Sequence, residues 1–173
     1  MSNIVQAAHV TQIDETPAHE LSRNIKEAFG KALNSESEID PDVLTIVGMS
    51  GDKYRHFINN LIRGLPNPSY LEVGCWTGST LCSAISRNRV RATGIDNWSE
   101  FGGPKDQFLA NVNQLVPEAH VTFRGMRLRK LDIASLGTFN VYLFDGPHVY
   151  QDHYDGLVHA ARALTRQFHP HHR

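Results

Sequence analysis

At 173 residues the chain has the length of one domain, enough to bury a sizeable core but with no room for a second large one. Its 40% hydrophobic and 20% charged residues are ordinary for a soluble globular protein, and no apolar run approaches the ~20 residues of a membrane-spanning helix, so no membrane partner is expected. Seventeen basic against eighteen acidic side chains leave a net charge of -1, which argues against a surface built to hold a nucleic-acid backbone.

The opening MSNIVQAAHVTQIDE lacks the basic and apolar regions of a secretory signal, and two cysteines, Cys75 and Cys82, are too few for a disulfide framework. Both features point to a cytoplasmic protein with reduced, packed thiols. From about residue 16 to 33, Leu21, Ile25, Ala28, Phe29, Ala32 and Leu33 recur at helical spacing and predict an amphipathic helix. NSESEIDPD reads as a loop. Ser50 then caps a second helix carrying Tyr54, Phe57, Ile58, Leu61 and Ile62 and ended by Gly64 and Pro66. Residues 1–66 are thus expected to form a helical cap on a core spanning 67–173, the whole being one domain.

After the turn-rich PNPS, strands and helices alternate, which predicts an α/β fold with a parallel sheet covered on both faces, three layers in all. The first unit is the strand SYLEVGC and a helix over 78–87; the second is VRATGIDNW and a helix over 104–115. A third strand lies in HVTFRG, followed by a short helix near 131–136. The fourth is NVYLFDGP, whose apolar run 141–144 suits a buried central strand, followed by a helix over 150–164. The basic cluster of Arg124, Arg127, Arg129 and Lys130 reads as a solvated connection, and Asp152, His153 and His159 as solvated helix residues. The terminal HPHH has the look of a metal-binding tract, but no role follows from composition alone.

The segment from Tyr70 to Gly78, YLEVGCWTG, carries the strongest local signal: an apolar strand running into Gly74 and Gly78, then a helix opening with Ser79 and Thr80. Glycines let a backbone turn sharply beside a ligand, and free N–H groups at a helix start favour electronegative atoms. The spacing differs from the G-x-G-x-x-G loop that cradles a pyrophosphate, so a ligand without phosphates fits better. Asp96, twenty-four positions after Glu72, ends the second strand where doubly wound folds place a carboxylate for ribose hydroxyls. Asn97 and Trp98 can wall an adenine; the alternatives are that Glu72 and Asp96 are loop caps and that Trp98 simply packs. Asp145 and His148, in DGPHVY, end the fourth strand across the switch point. There His148 has the resting pKa of a general base, and Asp145 can orient it, bind an acceptor or ligate a divalent cation.

EVGCWTG resembles the glycine-rich first motif of class I S-adenosylmethionine-dependent methyltransferases, and GIDNW the acidic end of their second strand. More narrowly, IDNWSEF and FDGPHVYQD resemble methyltransferase family 24, in the small-molecule O-methyltransferase branch; the likeness runs from about residue 70 to 164. The resemblance implies a Rossmann-like doubly wound fold and S-adenosylmethionine as cofactor. Glu72, Gly74, Thr77, Gly78 and Ser79 would surround the methionine moiety, while Asp96, Asn97 and Trp98 would hold the adenosine. Asp145 and His148 would serve catalysis on a small-molecule acceptor, and Asp145 a metal. Family members continue into a fifth strand and an antiparallel pair that this sequence does not reach, so those C-terminal strands are expected to be missing, along with further metal ligands. The fourth strand is then an open edge, suited to a homodimer. A binding or assembly module without turnover is the alternative to the enzyme.

Overall fold

In a computed structural model of the protein, residues 17–164 are described. Four parallel strands, β1 (Ser69–Val73), β2 (Arg91–Ile95), β3 (His120–Arg124) and β4 (Val141–Phe144), form one sheet in the order β3-β2-β1-β4. The chain steps outward from β1 to β3 and then returns to the other side of β1, which puts the topological switch point between β1 and β4. This is the doubly wound, Rossmann-like α/β arrangement that the strand–helix alternation predicts.

Among the described residues six helices, α1 (Pro17–Leu33), α2 (Pro41–Leu44), α3 (Asp52–Arg63), α4 (Ser79–Ile85), α5 (Lys105–Leu115) and α6 (Tyr150–Ala161), surround the sheet. Period-two alternation sorts each strand's side chains between two cores. Tyr70, Ala92 and Val141 point to one face and pack with Ile62 of α3, Leu81 of α4 and Phe108 of α5. Leu71, Val73 and Ile95 point to the other, where Leu128, Ile133, Phe139 and Ala163 meet them. α1 lies along α3, and α3 lies on α4. Asn59 of α3 fixes that packing by donating to the carbonyls of Ser83 and Ser86 at 2.8 and 2.9 Å, groups that the end of α4 leaves without helical partners.

Four readings are corrected, the last of them the buried central place read for 141–144, where the edge position also expected of the fourth strand is what is found. The stretch read as a loop contains the single turn α2, started by the Asp40 carboxylate accepting from Asp42 N at 3.1 Å, with Pro41 in the first helical position. The N-cap of α3 is Gly51; Ser50 instead turns its hydroxyl toward Arg55 and Thr80. The helix near 131–136 is a pair of 3-10 turns, Leu128–Lys130 and Ile133–Leu136. Among the described residues β4 is an edge strand, half-buried beyond Val141, and beside its start Phe139 N donates to Ala163 O at 2.8 Å in a parallel bridge of Phe139 to Leu164. No described helix is long and apolar enough to cross a membrane, and the HPHH tract lies outside the described residues.

Candidate functional site

A cavity of about 510 Å³ opens over the carboxyl ends of β1, β2 and β4, where doubly wound sheets bind ligands. Gly74, Ile95, Asp96 and Asp145 come from the strand tips. Trp98, Phe101, Met126 and Leu128 line the side toward β3, Met49 and Ser50 come from the helical cap, and His148 and Asp152 from the start of α6 and the turn before it.

The turn after β1 is shaped by a close approach of backbones. Gly74 has φ +89°, and a Cβ there would lie 2.0 Å from the carbonyl oxygen of Asp145, so only glycine lets the tips of β1 and β4 come together. Gly78, with φ +88°, precedes α4. Asp96 holds the facing loop: one carboxylate oxygen accepts from Trp76 N at 2.8 Å and the other from Trp98 N at 2.6 Å. Each oxygen keeps a second lone pair, so the carboxylate is fixed in orientation and still able to accept from a diol.

Of the residues singled out in the sequence, Gly74, Ser79, Asp96, Asn97, Trp98, Asp145 and His148 share this cavity. Three do not reach its wall. Glu72 has Tyr70's strand parity, so its side chain points under α4 and is fully buried, accepting a hydrogen bond from the Tyr70 hydroxyl. Burial pushes its carboxyl up to about 8; the Tyr70 bond opposes this, and the Asp145 and Asp96 carboxylates add to it. Thr77 is buried, its hydroxyl donating to Val47 O, and Gly78 faces the Phe108 ring. Trp98 does both things the sequence left open: it borders the cavity and packs, with ring centroids 4.6 Å from Phe123 and 5.5 Å from Phe108 and its indole N–H donating to Trp76 O at 3.0 Å.

Asp145 and His148 stand side by side, Nε2 to Oδ1 3.4 Å, with side chains 49% and 72% exposed at the mouth. His153 makes a T-shaped ring contact with His148, centroids 5.5 Å apart. Among the described residues no three His, Cys, Asp or Glu side chains are grouped to hold a metal, and Asp145 has only His148 beside it as a further donor.

Several lining residues carry no local signal in the sequence. Arg129, read as solvated, spans the cavity rim instead, its Nη2 2.6 Å from Asp152 and its Nε 2.6 Å from Asp155 on α6. These partners are more than twenty positions away, so only the fold brings them together. Met49 and Ser50 of the cap are equally invisible to motif reading.

An α/β protein of Rossmann-like topology with a ligand cavity at its switch point is thus defined by fold and site. No family model and no curated protein matches the chain. Among solved structures, EvdMO1 aligns with 88% of this chain and 36% of its own at 17% identity and TM-score 0.52. The N-terminal domain of EvdMO1 with SAH bound aligns over 80% and 61% at 19% identity and TM-score 0.49. Coclaurine N-methyltransferase bound to N-methylheliamine and SAH aligns over 90% and 52% at 13% identity and TM-score 0.49. The chain spans between about a third and three fifths of these neighbours' lengths. At 17% identity the likeness to EvdMO1 shows the fold alone.

Proposed function

We propose that the protein is an S-adenosylmethionine-dependent methyltransferase acting on a small-molecule acceptor, by O-methylation. One observation carries this reading: a cavity at the switch point holds, on opposite sides, a carboxylate oriented for a diol and an acid–histidine pair open to the mouth. The fit to the cofactor is chemical. Asp96 offers two oriented acceptors for ribose hydroxyls, Trp98 and Met126 offer apolar and sulfur surface for an adenine, and the turn from Gly74 has no pyrophosphate-cradling glycine pattern.

When bound, S-adenosylmethionine supplies a methyl group on a sulfonium, open to in-line displacement. The protein's task is then to align an acceptor hydroxyl and to remove its proton. His148, with its Nε2 3.4 Å from Asp145 Oδ1, is the group placed to take that proton. The exposure of both side chains suits an acceptor that arrives from the mouth and itself excludes water.

The cytoplasm is the proposed compartment, and two chains joined along the open β4 edge belong to the same proposal; a monomer mass by light scattering counts against the dimer. A binding module without turnover is the second reading, favoured by the solvent-open Asp145–His148 pair. Calorimetry with S-adenosylhomocysteine tests the first step: micromolar binding is expected, weakened roughly tenfold or more by Asp96→Ala through loss of two ribose hydrogen bonds. Absence of binding by the wild-type protein overturns the proposal. Transfer of labelled methyl to hydroxyl acceptors, abolished by His148→Ala, separates the enzyme from the module.

A further inference from the structure

Trp76, Trp98 and Phe101 all have a left-handed backbone, with φ of +46°, +47° and +49°, and all three line the cavity. A bulky L residue rarely adopts that region, because its Cβ crowds the neighbouring carbonyl. Such conformations persist only where the surroundings hold them, and they gather at ligand clamps. Gly102 and Gly103 follow with φ of +81° and +59°, so the connection from β2 to α5 bends sharply just before Pro104.

The base of this strap is anchored and its tip is not. Asp96 accepts from the Trp98 amide, and the Trp98 ring packs on Phe108 and Phe123. Beyond Trp98 the backbone hydrogen bonds stay local: Ser99 N donates to Asn97 Oδ1 at 3.3 Å, Gly103 N to Glu100 O at 3.1 Å and Lys105 N to Gly103 O at 2.8 Å. Among the described residues one bond ties the tip to another element, from Trp76 Nε1 to Phe101 O at 3.0 Å. Phe101 is 66% exposed, so burial of its ring does not offset the strain of its backbone. A loop that only joined β2 to α5 would be served better there by asparagine or glycine, which tolerate that φ.

We propose that residues 99–103 are a lid on the cavity, that the Trp76 indole latches its tip to the cavity wall, and that the Phe101 ring closes on an adenosine ligand. The ligand's identity rests on the cofactor reading above; the latch does not. Nothing lies within 4 Å of a Cβ built at Gly102, so the pivot beside Phe101 turns in open space. The ligand favours the closed state because only there does it meet the ring. Trp76 is thus a positioning residue acting through Phe101.

Three measurements on the full chain test the lid. Trp76 and Trp98 are the chain's only tryptophans, so intrinsic emission reads the strap and its latch alone. Saturating S-adenosylhomocysteine should shift wild-type emission to shorter wavelength as the indoles lose water. An unshifted spectrum in protein that calorimetry shows to be saturated overturns closure, leaves the cofactor reading intact and depends on no variant. Phe101→Asn removes the ring but tolerates the left-handed φ. It should bind S-adenosylhomocysteine roughly tenfold more weakly, with a melting temperature equal to or above that of wild type. Unchanged affinity overturns the lid, and so does a joint fall in affinity and melting temperature, which would make Phe101 a packing residue. In ligand-free protein, Trp76→Phe should speed hydrogen exchange of amides 99–103 about tenfold while β1 and β2 keep their protection. Equal exchange rates overturn the latch. If wild-type protein does not bind the probe, the cofactor reading falls and takes the lid's occupant with it, whereas the latch stands or falls on the exchange rates.

Discussion

Gly74 and Asp96 divide the work of building the cavity between backbone and side chain. Asp96 ties two loop amides together through its carboxylate, whereas Gly74 acts by having no side chain where β1 and β4 meet. Gly74→Ala combines a left-handed φ with a Cβ 2.0 Å from a backbone oxygen, and backbone cannot move aside as a flexible side chain does. We expect a loss of about 3 kcal/mol in folding stability by urea denaturation, the sum of strain and overpacking at one site. A loss below about 1 kcal/mol would mean that the strand tips separate easily.

Between elements, the Arg129 bridge to α6 offers a measurable link. The Arg129 side chain is 48% exposed and its partners Asp152 and Asp155 are 25% and 21% exposed, so screening by water limits what the pairs contribute. Arg129→Ala should lower stability by about 1 kcal/mol or less, and a double-mutant cycle with Asp155→Asn should give a coupling that shrinks in 1 M salt. A salt-independent coupling would point to packing of the Arg129 stem as the source. The same pair marks how far sequence reasoning reaches. All four strands and the long helices were legible, because period-two and 3.6-residue patterns are local. Strand parity even places Glu72 on Tyr70's face, but which face the cavity opens on follows from the sheet order, which is non-local. Asp40-Pro41 was a legible helix start hidden inside a polar run. The Leu128–Lys130 and Ile133–Leu136 turns are too short to show periodicity, and Met49, Ser50 and Arg129 reach the cavity through tertiary packing alone.

For the molecule as a whole, the sheet's first core encloses an ionisable group, and this makes stability depend on pH. Glu72 has a folded pKa of about 8 against an ordinary value of 4.5, raised first by burial. The folded protein thus holds a proton that the unfolded chain has released at neutral pH, so between about pH 4.5 and 8 the native state binds more protons and stability falls as pH rises. Above the upper value the dependence from this group ends. His56 acts in the opposite sense: burial lowers its pKa below 6.5, so acidification through that region costs stability. Glu72→Gln isolates the first effect, since the amide oxygen still accepts from the Tyr70 hydroxyl but carries no proton to lose. The melting temperature of wild-type protein should therefore drop between pH 6.5 and 8.5, and the advantage of Glu72→Gln over wild type should grow by an amount equivalent to a few kcal/mol across that interval. Parallel melting curves for the two proteins from pH 6.5 to 8.5 would mean that Glu72 is ionised and solvated in the native state, contrary to its burial beneath α4.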